Sequence, residues 1–190
     1  MTRFLALVLL ASPALADPSI TVAFSPHAGA TEAVVQVISE AKQSIRLAAY
    51  GFTSKPIAQA LIAAHQRGVD VEAVLDASNV THRSEAGELA ATGVPVRVDY
   101  RYAIMHSKFI VVDGVMVETG SFNFTTSAER KNAENVLIVR DDVAVAQRYE
   151  QEWQRLWSES EAMSILPMPG PRETFRPTGH IRTTRPFHNR

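Results

Sequence analysis

The chain has no cysteine among its 190 residues. Disulfide frameworks, thiol nucleophiles and cysteine-ligated zinc are therefore excluded, and stability has to come from a packed core. Long apolar runs are missing too, with one exception: Phe4 to Ala16 is 13 uncharged residues broken by Pro13. That is well short of the ~20 residues needed to cross a bilayer. Preceded by Arg3 and closed by Ala14-Leu15-Ala16, the run reads as a signal peptide over residues 1–16, cleaved after Ala16. The expectation is an exported protein, periplasmic or secreted, with no transmembrane segment. No internal repeat occurs. The six histidines are scattered, and no two stand at i and i+4 around a glutamate. The zinc-hydrolase pattern is thus absent, and neither a metal nor another cofactor is expected.

Positive charge is scarce in the body of the chain. Residues 17–170 hold 13 Lys+Arg against 19 Asp+Glu, a formal charge of −6, whereas residues 171–190 hold five Arg against one Glu, or +4. An acidic body does not gather a polyanion through its overall field. Recognition of an anionic substrate therefore has to be local, and Lys108, Arg101, Arg130 and Lys131 are the cations nearest the motif described below. The last three are candidate substrate-binding residues.

What is present is a hydrophobic content of 46% in a length suited to one domain, placed at residues 17–166 and followed by a Pro- and Arg-rich tail, 167–190, expected to be disordered. Ile20–Phe24 reads as a strand and Thr31–Lys42 as a helix with Val34, Val37, Ile38 and Ala41 on one face. The run Ser44–Phe52 is too continuously apolar for a half-solvated strand and belongs inside a sheet covered on both sides. Ser54 and Pro56 open a second helix that Gly68 stops. Val69–Ala77 is a further buried strand, Ser84–Thr92 a short helix and Val94–Tyr100 a strand. Phe109–Val112 and Val115–Thr119 flank Asp113-Gly114, a dipeptide suited to a tight hairpin turn. Ala133–Val139 is a strand, and Asp142–Ser158 a helix whose Tyr149, Trp153, Leu156 and Trp157 form a core-packing face. The alternation predicts an α/β fold, a single-domain α/β/α sandwich around a central mixed sheet. His82 and Arg83, in the loop after the third strand, either meet a ligand at the strand ends or are simply solvated.

The chemistry concentrates between residues 102 and 134. Residues i and i+2 of a strand share a face, which pairs His106 with Lys108 and Ser121 with Asn123. An imidazole, an ammonium, a hydroxyl and a carboxamide in one region suit a phosphodiester, whose charge the donors hold while histidine attacks or transfers a proton. Asp113 is at an odd offset from His106 and is given a structural role, fixing the hairpin or pairing with a cation. Glu134 interrupts an apolar strand. Either it is buried and holds the distal nitrogen of a histidine, or it stands exposed at the strand's start.

His106-x-Lys108-x4-Asp113, followed by Gly120-Ser121-x-Asn123 and Glu134, resembles the HxKxxxxD signature of the phospholipase D superfamily. From Ile20 to Trp157 the chain resembles its small exported Nuc-type bacterial endonucleases, including Tyr50-Gly51-Phe52-Thr53-Ser54 and the segment Arg101–His106. The tail after Leu166 is outside the resemblance. The resemblance implies that His106 forms a covalent phosphohistidine without metal, that Lys108 and Asn123 bind phosphoryl oxygens, that Ser121 assists, and that Glu134 orients His106. A second motif's histidine would protonate the leaving oxygen. This chain has a single HxK, so the expected assembly is a homodimer with the active site at the two-fold axis. A non-specific endonuclease on DNA or RNA and a phospholipase D are the two substrate readings, the former favoured by the lack of an apolar lid or membrane helix. A non-catalytic phosphate-binding module is the remaining alternative.

Overall fold

A computed structural model describes residues 17–164; the segments expected to be a signal peptide (1–16) and a disordered tail (167–190) lie outside the described residues. Eight strands form one sheet: β1 (Ser19–Ser25), β2 (Ser44–Ala49), β3 (Asp70–Asp76), β4 (Val96–Asp99), β5 (Lys108–Val112), β6 (Met116–Gly120), β7 (Glu134–Arg140) and β8 (Glu161–Ala162). Their spatial order is β1-β7-β6-β5-β2-β3-β4-β8. β2, β3 and β4 run parallel and every other pairing is antiparallel. The α/β sandwich with a mixed sheet is as the sequence predicts.

Strand alternation sorts the core into two layers. Ile45, Leu47 and Ala49 of β2 face α1 (Ala30–Glu40), α2 (Lys55–Gln66) and α3 (Ala86–Ala91), packing with Val37, Ile38, Ile57, Leu61 and Leu89. Ala48 faces the other way, with Val74, Phe109 and Val111, onto Trp153 and Leu156 of α5 (Val143–Glu159). Trp153 is buried and donates its indole N–H to the Leu47 carbonyl at 3.0 Å, so the large aromatic face is core. Two elements were not legible as periodic segments: α4 (Thr126–Arg130), one turn and a half capped by the Thr125 hydroxyl accepting from the Ala128 amide, and the two-residue β8.

The directions of the strands bring all the chemistry to one end. Ala49 pairs with Lys108, Gly120 with Val136, Ser25 with Glu134 and Asp76 with Asp99, so the carboxyl ends of β2, β3, β4 and β6 meet the starts of β5 and β7. Asp113 lies at the opposite end of β5. It and Gly114 both have positive φ, 51° and 65°, as a tight primed hairpin turn requires. Its carboxylate accepts from the amides of Lys42, Gln43 and Ser44 at 2.9, 2.7 and 2.8 Å. The structural role stands, but its partners are three backbone amides of the α1–β2 turn and not a cation.

Glu118, in the middle of β6, is 0% exposed, sits opposite Ile110 and Ile138, and has no hydrogen bond to either oxygen among the described residues. Burial alone pushes its carboxyl well above the usual carboxylate range. The folded state therefore keeps this proton where the unfolded state releases it, and stability falls as pH rises above the ordinary glutamate pKa. Glu118→Gln should raise the melting temperature more at pH 8 than at pH 5, each 1 kcal/mol reading as ~3 °C. Equal shifts at both pH values in thermal unfolding would mean that the carboxyl finds a proton-independent partner.

Candidate active site

The end of the sheet where the strands converge opens into a cleft of about 630 Å³ lined by His106, Lys108, Ser121, Asn123 and Glu134, with Thr119, Tyr149 and Glu152 on its flank. Two of its residues are delivered by β5. Lys108 is the first residue of the strand and His106 lies just before it, with the imidazole exposed at the cleft mouth. The ring stands edge-on to Tyr50 at 4.6 Å between centroids. Lys108 is only 7% exposed. Its Nζ donates to the His106 carbonyl at 2.7 Å and sits 5.1 Å over the Tyr50 ring. Burial lowers its pKa from the ordinary lysine value, and the Glu134 charge opposes that shift. Tyr50 thus supports both members of the pair. The signal for it in sequence was its place at the exit of the most apolar strand.

The other half is made where β6 ends. A Cβ at residue 120 would stand 2.1 Å from the Asn135 carbonyl oxygen, which no side chain tolerates. Glycine lets the backbone turn there, and the same carbonyl accepts from the Ser121 and Phe122 amides at 3.1 and 3.3 Å. Gly51 is a second obligatory close approach, since a Cβ would meet Thr125 Cγ2 at 2.9 Å and Asn123 Cβ at 3.6 Å. Asn123 is held with Oδ1 buried and without a hydrogen-bond partner among the described residues. The Nδ2 donors are then the end of the amide that a ligand reaches.

Of the two readings of Glu134, the structure shows the one at the strand's exposed start. Its Oε2 accepts from the Ser121 hydroxyl at 2.6 Å and its Oε1 from Asn132 Nδ2 at 2.9 Å, and within one chain it makes no hydrogen bond to His106. The physical reason is burial: Glu134 is half-exposed at the first position of β7, so polar neighbours satisfy it without a histidine. Ser121 is also fully engaged, donating to Glu134 and accepting from the Asn135 amide at 3.0 Å. It positions the Gly-Ser-x-Asn loop in this state.

The three candidate binding cations do not enter the cleft. Arg101 has its amide held by Asp99 at 2.8 Å and its guanidinium 3.8 Å from Glu159, while Arg130 and Lys131 are exposed at the end of α4. Residues that sequence reasoning missed are the paired carboxylates Asp76 and Asp99, both almost fully buried. Asp76 accepts from the Met105 amide at 2.7 Å, and Asp99 also receives the Tyr102 amide at 3.4 Å. Together they anchor the segment that carries His106. Tyr149, expected only as core, lines the cleft as well and packs edge-on against Phe109 at 5.0 Å.

Comparison with known proteins agrees with this geometry. The family described as "Cardiolipin synthase, PLD-like domain" matches residues 34–157. The phospholipase D of Rickettsia typhi is 40% identical over 142 residues, 74% of this chain and 69% of that one. The mitochondrial cardiolipin hydrolase of Mus musculus is 34% identical over 154 residues, 80% of this chain and 69% of its own length. Among solved structures, the phospholipase D family member Nuc from Salmonella typhimurium superposes with a TM-score of 0.75 and 41% identity, covering 77% of this chain and 99% of that one. NucT from Helicobacter pylori, at 22% identity and a TM-score of 0.71, shares the fold. A cleft built on His106, Lys108 and Asn123 at the strand ends of this sheet, and a family match over most of the described residues, place the chain in the phospholipase D superfamily, as a phosphodiesterase with a PLD-like domain.

Proposed function

We propose that the protein is an exported, metal-independent endonuclease that hydrolyses phosphodiester bonds of DNA or RNA through a phosphohistidine on His106, acting as a homodimer. The observation that carries this reading is the convergence of His106, Lys108, Ser121, Asn123 and Glu134 on one open cleft. An exposed imidazole is free to attack phosphorus, and Lys108 Nζ and Asn123 Nδ2 are donors for the non-bridging oxygens. The P–O bond to the leaving group breaks as the N–P bond forms, and the departing oxygen needs a proton. Water then attacks phosphorus, releases the phosphomonoester and frees His106. One chain offers a single histidine in the cleft, so the acid is assigned to His106 of a second copy.

A stripe beside the cleft supports that second copy. Ile20, Val22 and Phe24, alternate residues of edge strand β1, are 67%, 56% and 53% exposed. Val22 pairs with Leu137, Leu137 with Thr119 and Thr119 with Phe109, so the stripe continues one row of the α5-side face into the cleft wall. Apolar side chains repeated on one exposed face of an edge strand are what a two-fold interface covers.

Most residues lining the cleft carry polar or charged side chains, with Phe109 and Tyr149 as its large carbon surfaces, a mixture that suits the phosphates and bases of a nucleic-acid strand. A phospholipase D activity is the second reading, favoured by the names of the phospholipase D and cardiolipin hydrolase relatives. Plasmid DNA, RNA and phosphatidylcholine vesicles assayed side by side in excess EDTA separate the two; lipid turnover without DNA or RNA turnover would reverse the assignment. His106→Ala should leave less than about a thousandth of wild-type turnover with an unchanged circular dichroism spectrum, and higher residual activity would require another nucleophile. Because burial lowers the Lys108 pKa, kcat/KM should fall on an alkaline limb below the ordinary lysine range as the ammonium deprotonates. In Lys108→Arg that limb should disappear from the accessible pH range. Val22→Glu with Phe24→Glu should give a monomer in light scattering that has lost activity, and an active monomer would exclude the shared site.

A further inference from the structure

On the α2 side of the strand ends lies a second cleft, about 850 Å³ in volume, where Lys55, His82 and Arg83 meet the hydroxyls of Thr53, Thr126 and Ser127. The geometry points to a subsite for a second backbone phosphate of the polynucleotide, next to the scissile one, with Lys55 and Arg83 as its cations. This inference rests on the nuclease reading and specifies where the rest of the strand runs.

Most arginines of the described chain are already committed. Arg46, Arg101, Arg140 and Arg155 are in ion pairs, Arg97 donates to the Ser160 carbonyl and stacks on Trp157, and Arg67 donates to backbone carbonyls. Lys55 and Arg83, by contrast, are exposed, and their side chains have neither an ion pair nor a hydrogen bond among the described residues. The Thr53, Thr126 and Ser127 hydroxyls are likewise without side-chain hydrogen bonds among those residues. Two uncommitted cations and three available hydroxyls in one concavity match the donor set that binds a phosphate without reading sequence.

Two carboxylates, Glu85 and Glu88, also line this cleft. Glu85 is buried, and burial together with its hydrogen bond to Glu88 raises its pKa, Lys55 opposing. The two carboxylates offset Lys55 and Arg83 in formal charge, so binding there rests on the placement of the two exposed cations and the hydroxyls and not on a net positive field. The two clefts are neighbours: Asn123 lines the catalytic one and Thr125 the other, and Gly51 packs against both.

The test uses the full mature chain and two readouts. In wild type and in Lys55→Ala/Arg83→Ala, kcat/KM is measured on bis(p-nitrophenyl) phosphate, which has no second phosphate, and on a 20-nucleotide single-stranded DNA. The double variant should keep the small diester within about twofold and lose tenfold or more on the oligonucleotide through KM. Its log–log salt slope should also shrink by ~1.4, two contacts at ~0.7 each. Affinity for the same fluorescein-labelled oligonucleotide, read by anisotropy on a His106→Ala background, should fall in parallel. That measurement holds even if wild type proves not to cleave nucleic acid. Unchanged oligonucleotide affinity and salt slope in the double variant would overturn the subsite, and so would an equal loss on the small diester.

Discussion

The Asn135 carbonyl oxygen sits where a side chain on residue 120 would begin, and the active site is built around that contact. Because residue 120 is glycine, β6 passes close enough to β7 for one carbonyl to receive two successive amides, Ser121 and Phe122. The chain then turns across the end of the sheet and does not run past it. Ser121 is delivered to Glu134 and Asn123 to the cleft that Lys108 also lines as consequences of this packing. Gly51 repeats the arrangement from the side of β2, giving way to Asn123 and Thr125. Glycines at two close approaches, one to backbone and one to side chains, thus fix large functional groups whose own side-chain contacts are few.

The site is stiffened by its surroundings more than by mutual contacts among its reacting groups. His106 has an aromatic neighbour, Lys108 is buried with its ammonium on a backbone carbonyl, and the segment before them is tied to Asp76 and Asp99. This leaves the imidazole and the Asn123 amide unspent for a ligand. A cleft that satisfied itself internally would have to break those bonds before binding phosphate.

Much of this was legible in the sequence, because period-2 alternation and turn residues record the sheet directly. The seven strands read from apolar runs, the Asp113-Gly114 turn and the His106, Lys108, Ser121 and Asn123 grouping all follow from local spacing. Other features were set by tertiary placement. The argument that a carboxylate in an apolar strand needs a partner was applied to Glu134, which starts its strand half-exposed. The carboxylate that meets its premise is Glu118, hidden in β6 between Ile110 and Ile138, which has no hydrogen-bond partner among the described residues and answers burial with a raised pKa instead. Arg101 looked close to the motif in sequence, yet the β4–β5 segment has to cross β2 and β3, and Glu159 takes its charge. Tyr149 shows that a core face and a cleft wall can share a residue, which helical periodicity does not separate.

The Asp113 turn gives the HxKxxxxD spacing a mechanical meaning. Lys108 opens β5 at the catalytic end, and Asp113 closes it at the far end, clamped to three amides of the α1–β2 turn. The four residues between them complete the five-residue strand that Lys108 begins, so the motif works as a ruler with its zero pinned to the turn. Adding or removing one residue along it would rotate Lys108 to the opposite face of the sheet, out of reach of the phosphate, even with every functional side chain still present.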